Sequence, residues 1–220
     1  MAQTDRQRWD ARYRDGAYEQ RAWPSAYLQQ CVPLIAPTQL GVRALDIACG
    51  RGRNSLYLAQ QGFAVDAVDV SSVAIAHGAT RALQAGLTIN WRCQDLQGGA
   101  ASWHPQGTFG LIIMFRYVAS PLLPILVEHL APGGHLLVEE HMQWAEAETL
   151  SGPSNPAFRV TSTELKQALA PCIGRLEVVE EFAGIVDEPD GSRAALARLW
   201  VRRITAVSYT HLTLPTNSGV

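Results

Sequence analysis

From Val42 onward, short runs of β-branched and other apolar residues alternate with segments whose apolar positions recur at helical spacing. The run "VRALDIA" predicts a first strand, and "RNSLYLAQQG" a helix that Gly62 closes at its carboxyl end. "FAVDAVDV" predicts a second strand, "SSVAIAHGATRALQAG" a helix capped by Ser71 or Ser72 and stopped by Gly86, and "LTINWRCQ" a third strand. After the polar loop "DLQGGAASWHPQGT" come the strand "FGLIIMFRYV", a helix from about Pro121 to Leu130, the turn "APGG" and the strand "HLLVEEHM". "TSTELKQALA" reads as a helix opened by a capping box from Thr161 to Glu164. Last, "RLEVVEEFAGIV" and "ALARLWVRRI" flank the turn "DEPDGS" as an antiparallel hairpin.

This pattern predicts an α/β, Rossmann-like seven-stranded sheet: five parallel strands plus a C-terminal antiparallel hairpin, with helices on both faces. In such a sheet ligands sit beyond the carboxyl ends of the strands, so functional residues are expected after strands one to five. Residues 1–40 hold aromatic and basic residues, with Trp9 and Tyr13 four apart, followed by Trp23 and Pro24. They are expected to form an N-terminal helical segment that packs on the core and serves as a lid; residues 41–204 form the core. The uncharged, Thr-rich stretch "TAVSYTHLTLPTNSGV" breaks the pattern, so residues 205–220 are expected to be a non-native or disordered tail.

A length of 220 residues suits one domain with a well-buried core. The hydrophobic fraction of 47% with 17% charged residues belongs to a soluble globular chain, and no apolar run approaches the length of a bilayer span. The polar amino terminus has no apolar core of the secretory kind, which makes the cytoplasm the expected location. Cys31, Cys49, Cys93 and Cys172 lie far apart without a C-x-x-C pair, so reduced thiols are expected, and neither a disulfide framework nor a metal site. A net charge of -2 and a pI near 6.3 supply no electrostatic footprint for nucleic acid. The expected partner is a small-molecule substrate, with no nucleic acid and no membrane, for a monomer or homodimer. Seventeen arginines accompany a single lysine, Lys166, far from any glycine-rich loop. That excludes the phosphate-binding P-loop and argues against catalysis by a Schiff-base or Tyr-Lys lysine.

The stretch "ALDIACGRGRN" places Asp46 at a strand end before Gly50 and Gly52. A dinucleotide site needs G-x-G-x-x-G, and here the third glycine is missing while Asp46 would face a pyrophosphate. S-adenosylmethionine has no phosphate and two positive centres, so an acid before the glycines becomes useful. Gly50 and Gly52 would let the backbone approach its amino-acid portion. Asp69 falls 23 positions after Asp46, where an acid accepts hydrogen bonds from ribose hydroxyls, although it could also cap a helix. Asp95 could accept from an adenine amino group while Leu96 supplies backbone contact, and a loop aspartate is also an ordinary turn residue.

Together these residues resemble the class I S-adenosylmethionine-dependent methyltransferases from Trp9 to about Ile204. "ACGRGRNSLYLAQQGFAVDAVDVS" is similar to the tellurite-resistance and thiopurine methyltransferase-like branch, and "WDARYRDG" to its amino-terminal segment covering the cofactor. The resemblance implies S-adenosylmethionine as cofactor, with S-adenosylhomocysteine as product. It implies that Asp46, Ala48, Cys49, Gly50, Gly52 and Arg53 form the first cofactor motif, that Asp69 and Val70 flank the ribose, and that Asp95, Leu96 and Phe115 complete the pocket. Ala48 departs from the glycine of many members, a departure tolerable if position 48 needs no positive φ.

The acceptor is expected where strands four and five end, which makes Arg116, Tyr117, Glu140 and His141 candidates, with Tyr13 reaching over from the amino-terminal segment. Arg116 follows an apolar run, so it either pairs with Glu139 or Glu140 or binds an anionic substrate. His141 is a candidate general base, or a structural hydrogen-bonding residue. The loop-rich insertion "QWAEAETLSGPSNPAFRV" suits a substrate lid. The expected function is methyl transfer to a small molecule by in-line displacement, with thiol, selenium and tellurium species among the acceptors. The alternatives are a NAD(P)-dependent Rossmann oxidoreductase and a non-catalytic protein that binds an S-adenosyl ligand.

Overall fold

The computed structural model describes residues 4–35, 42–96, 103–145 and 149–204. The expectation for the 205–220 tail lies outside the described residues. Among the described residues seven strands form one sheet: β1 (Arg43–Ile47), β2 (Ala64–Asp69), β3 (Ile89–Cys93), β4 (Phe109–Phe115), β5 (Leu130–His141), β6 (Leu176–Asp187) and β7 (Arg193–Arg203). Their order is β3-β2-β1-β4-β5-β7-β6. Strands β1 to β5 pair in parallel, while β7 runs antiparallel to both β5 and β6. The chain reverses direction across the sheet after β3, and the crevice at that switch opens beside the ends of β1 and β4.

The helices are α1 (Asp5–Arg14), α2 (Ala26–Ile35), α3 (Arg53–Gln60), α4 (Ser72–Gln84), α5 (Leu123–Glu128) and α6 (Glu164–Ala168). Two apolar clusters, one on each face, bury the sheet: Ile47, Ile112, Met114 and Val138 belong to one, and Ala44, Leu111, Ile113 and Leu137 to the other. The alternation of residues along β1, β4 and β5 between these clusters is the two-residue strand period.

Several local expectations shift. The helix predicted from Pro121 to Leu130 is a short 3-10 turn, Ser120–Leu122, followed by α5, and the "APGG" turn lies within β5 beside a register irregularity at Phe109 and Leu111. The Thr161 amide donates to the Glu164 carboxylate at 3.2 Å, but the helix boundary is Thr163, which makes no side-chain cap. Ser71 does cap α4, accepting from the Ala74 amide at 3.2 Å.

The amino-terminal segment divides into two parts. Helix α2 buries Tyr27, Leu28, Cys31 and Val32 in the second cluster, so it is part of the core. Helix α1 instead docks on α4 through one carboxylate: Asp10 Oδ1 accepts from the Ser71 hydroxyl at 2.6 Å and the Val73 amide at 3.2 Å. The Val73 N–H, in the first turn of α4, lacks a partner within its own helix, and a carboxylate at a helix amino terminus also meets the positive end of its dipole.

Candidate functional site

The turn after β1 is held in left-handed conformation at alternate residues: Ala48 at φ +54°, Gly50 at +55° and Gly52 at +72°. Position 48 therefore does adopt positive φ, so the condition under which alanine costs nothing there is not met, and its alanine keeps a Cβ where glycine would carry none. An L-residue in this region is disfavoured by roughly 1–2 kcal/mol. Gly52 caps α3 from this conformation, and its missing side chain leaves space for the Trp91 indole.

Two anchors fix the turn. The Asp69 carboxylate accepts the Gly50 amide at 2.8 Å through Oδ2 and the Ser71 amide at 2.8 Å through Oδ1. Asp46, buried below, accepts the Ser55 hydroxyl at 2.6 Å. Burial pushes Asp46 up to about 7, against the lowering effects of Ser55 and the nearby Arg53 guanidinium. Burial likewise raises Asp69, although the Ser71 and Gly50 amides favour its charge.

Tyr13 lies over this turn, so close that a Cβ on Gly50 would stand 2.7 Å from its hydroxyl. The structure thus moves Tyr13 from the expected acceptor side to the glycine turn. Burial, reinforced by the Asp69 charge, raises its pKa and keeps the hydroxyl protonated. Arg51 donates to the Tyr13 carbonyl at 2.8 Å and ties α1 to the turn.

The remaining expected cofactor residues are distributed unevenly. Cys49 is buried, and burial pushes its thiol well above the usual value. The Val70 carbonyl accepts from Arg6 at 3.2 Å. Asp95 is exposed at the end of β3, and Leu96 is buried in the first apolar cluster. Phe115 faces away into the second cluster, with its ring 6.0 Å from that of Tyr27, so it supports the floor. Arg53 opens α3 and donates to the Trp23 carbonyl at 3.1 Å; burial, then the charge of Arg116, lowers its pKa.

At the ends of β4 and β5 the structure brings Arg116 and His141 together with Glu139, one of the expected partners of Arg116, and with Glu188, which sequence patterning did not single out. Arg116, a non-glycine residue at φ +61°, pairs with Glu139 at 3.1 Å and with Glu188 at 2.6 Å. Glu188 follows β6 in the hairpin turn, so no local spacing connects it with Arg116. Glu139 also takes Arg198 of β7 at 2.8 Å. Burial opposes the Arg116 charge, but Glu139 and Glu188 outweigh it and raise its pKa. Its Nε finds no partner among the described residues.

Arg116 Nη1 lies 3.0 Å from His141 Nε2. Burial first, then Arg116, Arg159 and Arg21, push His141 down to about 3. It is neutral at physiological pH and holds a transferred proton poorly, which weakens the expectation of a general base. Glu140 points to the opposite face, where Oε1 accepts the Tyr117 amide at 3.0 Å and Oε2 has no partner among the described residues. Burial raises the Glu140 pKa, against the lowering effect of the Tyr117 amide and the Arg116 charge. The segment after β5 closes on this site: a Cβ on Gly152 would stand 2.7 Å from His141 Nδ1 and 3.2 Å from Arg159 Nη2.

Residues 44–134 match a family model described as "Methyltransferase domain". The match takes in the glycine turn, Asp69 and Arg116 but ends before Glu139 and His141. A ubiquinone biosynthesis O-methyltransferase of Caulobacter sp. (strain K31) is 38% identical over 107 residues, which are 44% of this chain and 40% of that protein. The chain spans about half the length of the first curated relatives it matches. Among solved structures, TehB from Haemophilus influenzae superimposes with a TM-score of 0.63 at 21% identity, covering 80% of this chain and 61% of that one. Magnesium protoporphyrin IX methyltransferase from Synechocystis PCC 6803 with bound SAH gives 0.62 at 16%, covering 90% and 97%. These likenesses establish the fold.

Proposed function

We propose that the chain, whose residues 44–134 match a methyltransferase domain model, is a class I S-adenosylmethionine-dependent methyltransferase that transfers a methyl group from S-adenosylmethionine to a small-molecule acceptor. The observation that carries this reading is the Asp69 carboxylate, fixed at the tip of β2 by the Gly50 and Ser71 amides. Each of its oxygens accepts one amide and has further acceptor capacity, which suits a pair of ribose hydroxyls.

The residues present fit the donor. The Gly50 backbone, with no room for a Cβ beneath Tyr13, walls a narrow cradle beside Asp69. Asp46 beneath the turn is raised to about 7 by burial, and an ammonium group placed beside it would favour its ionised form. Asp95 and Leu96 stand at the end of β3 for the adenine side, and Tyr13 covers the turn. When bound, the donor supplies a methyl carbon already activated by its sulfonium.

The chain then has to align the acceptor and exclude water, and alignment alone can supply a large share of the rate. His141 accepts a proton reluctantly because it is buried and because the Arg116, Arg159 and Arg21 charges oppose a further positive charge. Such a site favours acceptors that arrive unprotonated or ionise readily, and thiol, selenium and tellurium species meet that requirement. Incubation with methyl-labelled S-adenosylmethionine and a panel of thiols, selenite and phenols tests the reading. Label in a thiol or selenium product above the protein-free control is expected. No transfer across the panel, with S-adenosylhomocysteine still bound, would replace the enzyme by a non-catalytic binding protein.

A further inference from the structure

We propose that the acceptor carries an anionic group, a carboxylate or comparable oxyanion, seated among Arg53, Arg116 and Arg159 at the carboxyl ends of β4 and β5. This deepens the methyl-transfer reading and rests on it.

The argument is a census of charge around His141. Glu139 is shared by Arg116 and Arg198, Glu188 is taken by Arg116, and Asp190 in the same hairpin turn lies 3.8 Å from Arg21. Arg53 and Arg159 are different. Arg53 donates to the Trp23 carbonyl, and Arg159 to the carbonyls of Pro153 at 2.8 Å and Met142 at 2.9 Å. No carboxylate among the described residues pairs with either of them. Of the other nearby acids, Glu140 points to the opposite face, where it accepts the Tyr117 amide, and Asp46 lies beneath the glycine turn, held by the Ser55 hydroxyl. Arg53 and Arg159 are thus the two guanidinium groups of this cluster that form no ion pair among the described residues.

Two further features place this charge at a site. Arg116 Nε is buried without a partner, an N–H whose desolvation a ligand acceptor would offset. Gly152 has no side chain where Arg159 Nη2 and His141 Nδ1 converge, so these groups share one small space. The neutral imidazole beside Arg116 can offer one further N–H to an anion. Partly buried guanidinium charge left without an ion-pair partner is costly, and a partly desolvated anion offsets that cost with charge-assisted hydrogen bonds.

The test uses two probes of the same shape that differ in charge, benzoate and benzyl alcohol. Calorimetry on the full chain first measures S-adenosylhomocysteine, and then each probe against the protein saturated with it. Benzoate is expected to bind about tenfold or more tightly than benzyl alcohol, as charge-assisted bonds to arginine imply. Arg159→Gln should bring the two probes to within about threefold, and Arg159→Lys should restore part of the preference. Should Arg159→Gln fail to fold, Arg53→Gln serves the same comparison. Equal or tighter binding of benzyl alcohol, binding of neither probe, or a preference unchanged in both Gln variants would overturn the proposal. Failure of S-adenosylhomocysteine to bind, with the benzoate preference intact, would instead remove the methyl-transfer reading and leave the anion site standing.

Discussion

The Asp69 carboxylate accepts the Gly50 amide at 2.8 Å, and this bond joins the tip of β2 to the glycine turn after β1. One side chain thus performs two tasks, shaping the cradle and lining it. Asp69→Ala removes both. A hydrogen bond to a charged group contributes about 1.5–3 kcal/mol, so S-adenosylhomocysteine affinity should fall by about tenfold or more. Asp69→Asn keeps one acceptor oxygen and should lose less, and calorimetry on the two variants reads the difference. Unchanged affinity in Asp69→Ala would remove Asp69 from the site.

Ala48 at φ +54° holds a Cβ in a conformation that glycine adopts freely. Ala48→Gly relieves roughly 1–2 kcal/mol of native strain and adds about 0.4–1 kcal/mol of unfolded-state entropy. The net expectation is stabilisation by up to about 1.6 kcal/mol, read from the urea midpoint at constant m-value. A lower midpoint would show that the Ala48 methyl group contributes packing that outweighs the strain.

Gly78 lies in the middle of α4, where replacement by alanine ordinarily stabilises a helix by roughly 1 kcal/mol. Here a Cβ would stand 2.5 Å from the Trp91 ring, a rigid group already wedged against Gly52. Gly78→Ala should therefore destabilise the protein, by about 1–3 kcal/mol as for other overpacked cores. Thermal unfolding decides the sign, and a higher Tm would contradict this packing.

His141 and Asp46 give opposing pH dependences. The folded-state pKa of His141 is depressed to about 3, so between that value and the ordinary histidine range the unfolded chain binds the extra proton. Its contribution favours folding at neutral pH and is lost as pH falls from about 6.5 toward 3, with a limiting slope of about 1.4 kcal/mol per pH unit. Asp46, raised to about 7, acts the other way: its folded form holds the proton, and stability is lost as pH rises from about 4 to 7. The individual slopes appear in variants. Relative to His141→Gln, the parent protein should lose stability on acidification below about pH 6.5. Relative to Asp46→Asn, it should lose stability on moving from pH 4 to pH 7. Denaturant titrations across this range provide both comparisons.

Much of this arrangement is legible along the chain, because the five parallel strands, the hairpin and the glycine turn are written in local periodicity and turn residues. Asp69 is legible too, since its place depends only on the end of β2 relative to β1. What escapes is what depends on distant partners. Asp10 reaches Ser71 across sixty-one positions, and no period marks it as the anchor of α1. Glu188 reaches Arg116 from a hairpin turn that reads only as a reversal of chain direction. The "WPSAYLQQCVPLI" stretch looks like part of a lid by position, yet its apolar face belongs to the core beneath Phe115. Ala48 shows a conformational demand that its own residue type conceals.

The central claim is that the cradle between Asp69 and the glycine turn holds an S-adenosyl ligand and not a dinucleotide. Calorimetric titration of the full chain with S-adenosylhomocysteine and, separately, with NADH tests it most directly. One-to-one binding of S-adenosylhomocysteine with no heat from NADH is the predicted result. Tight NADH binding with no S-adenosylhomocysteine binding would contradict the account.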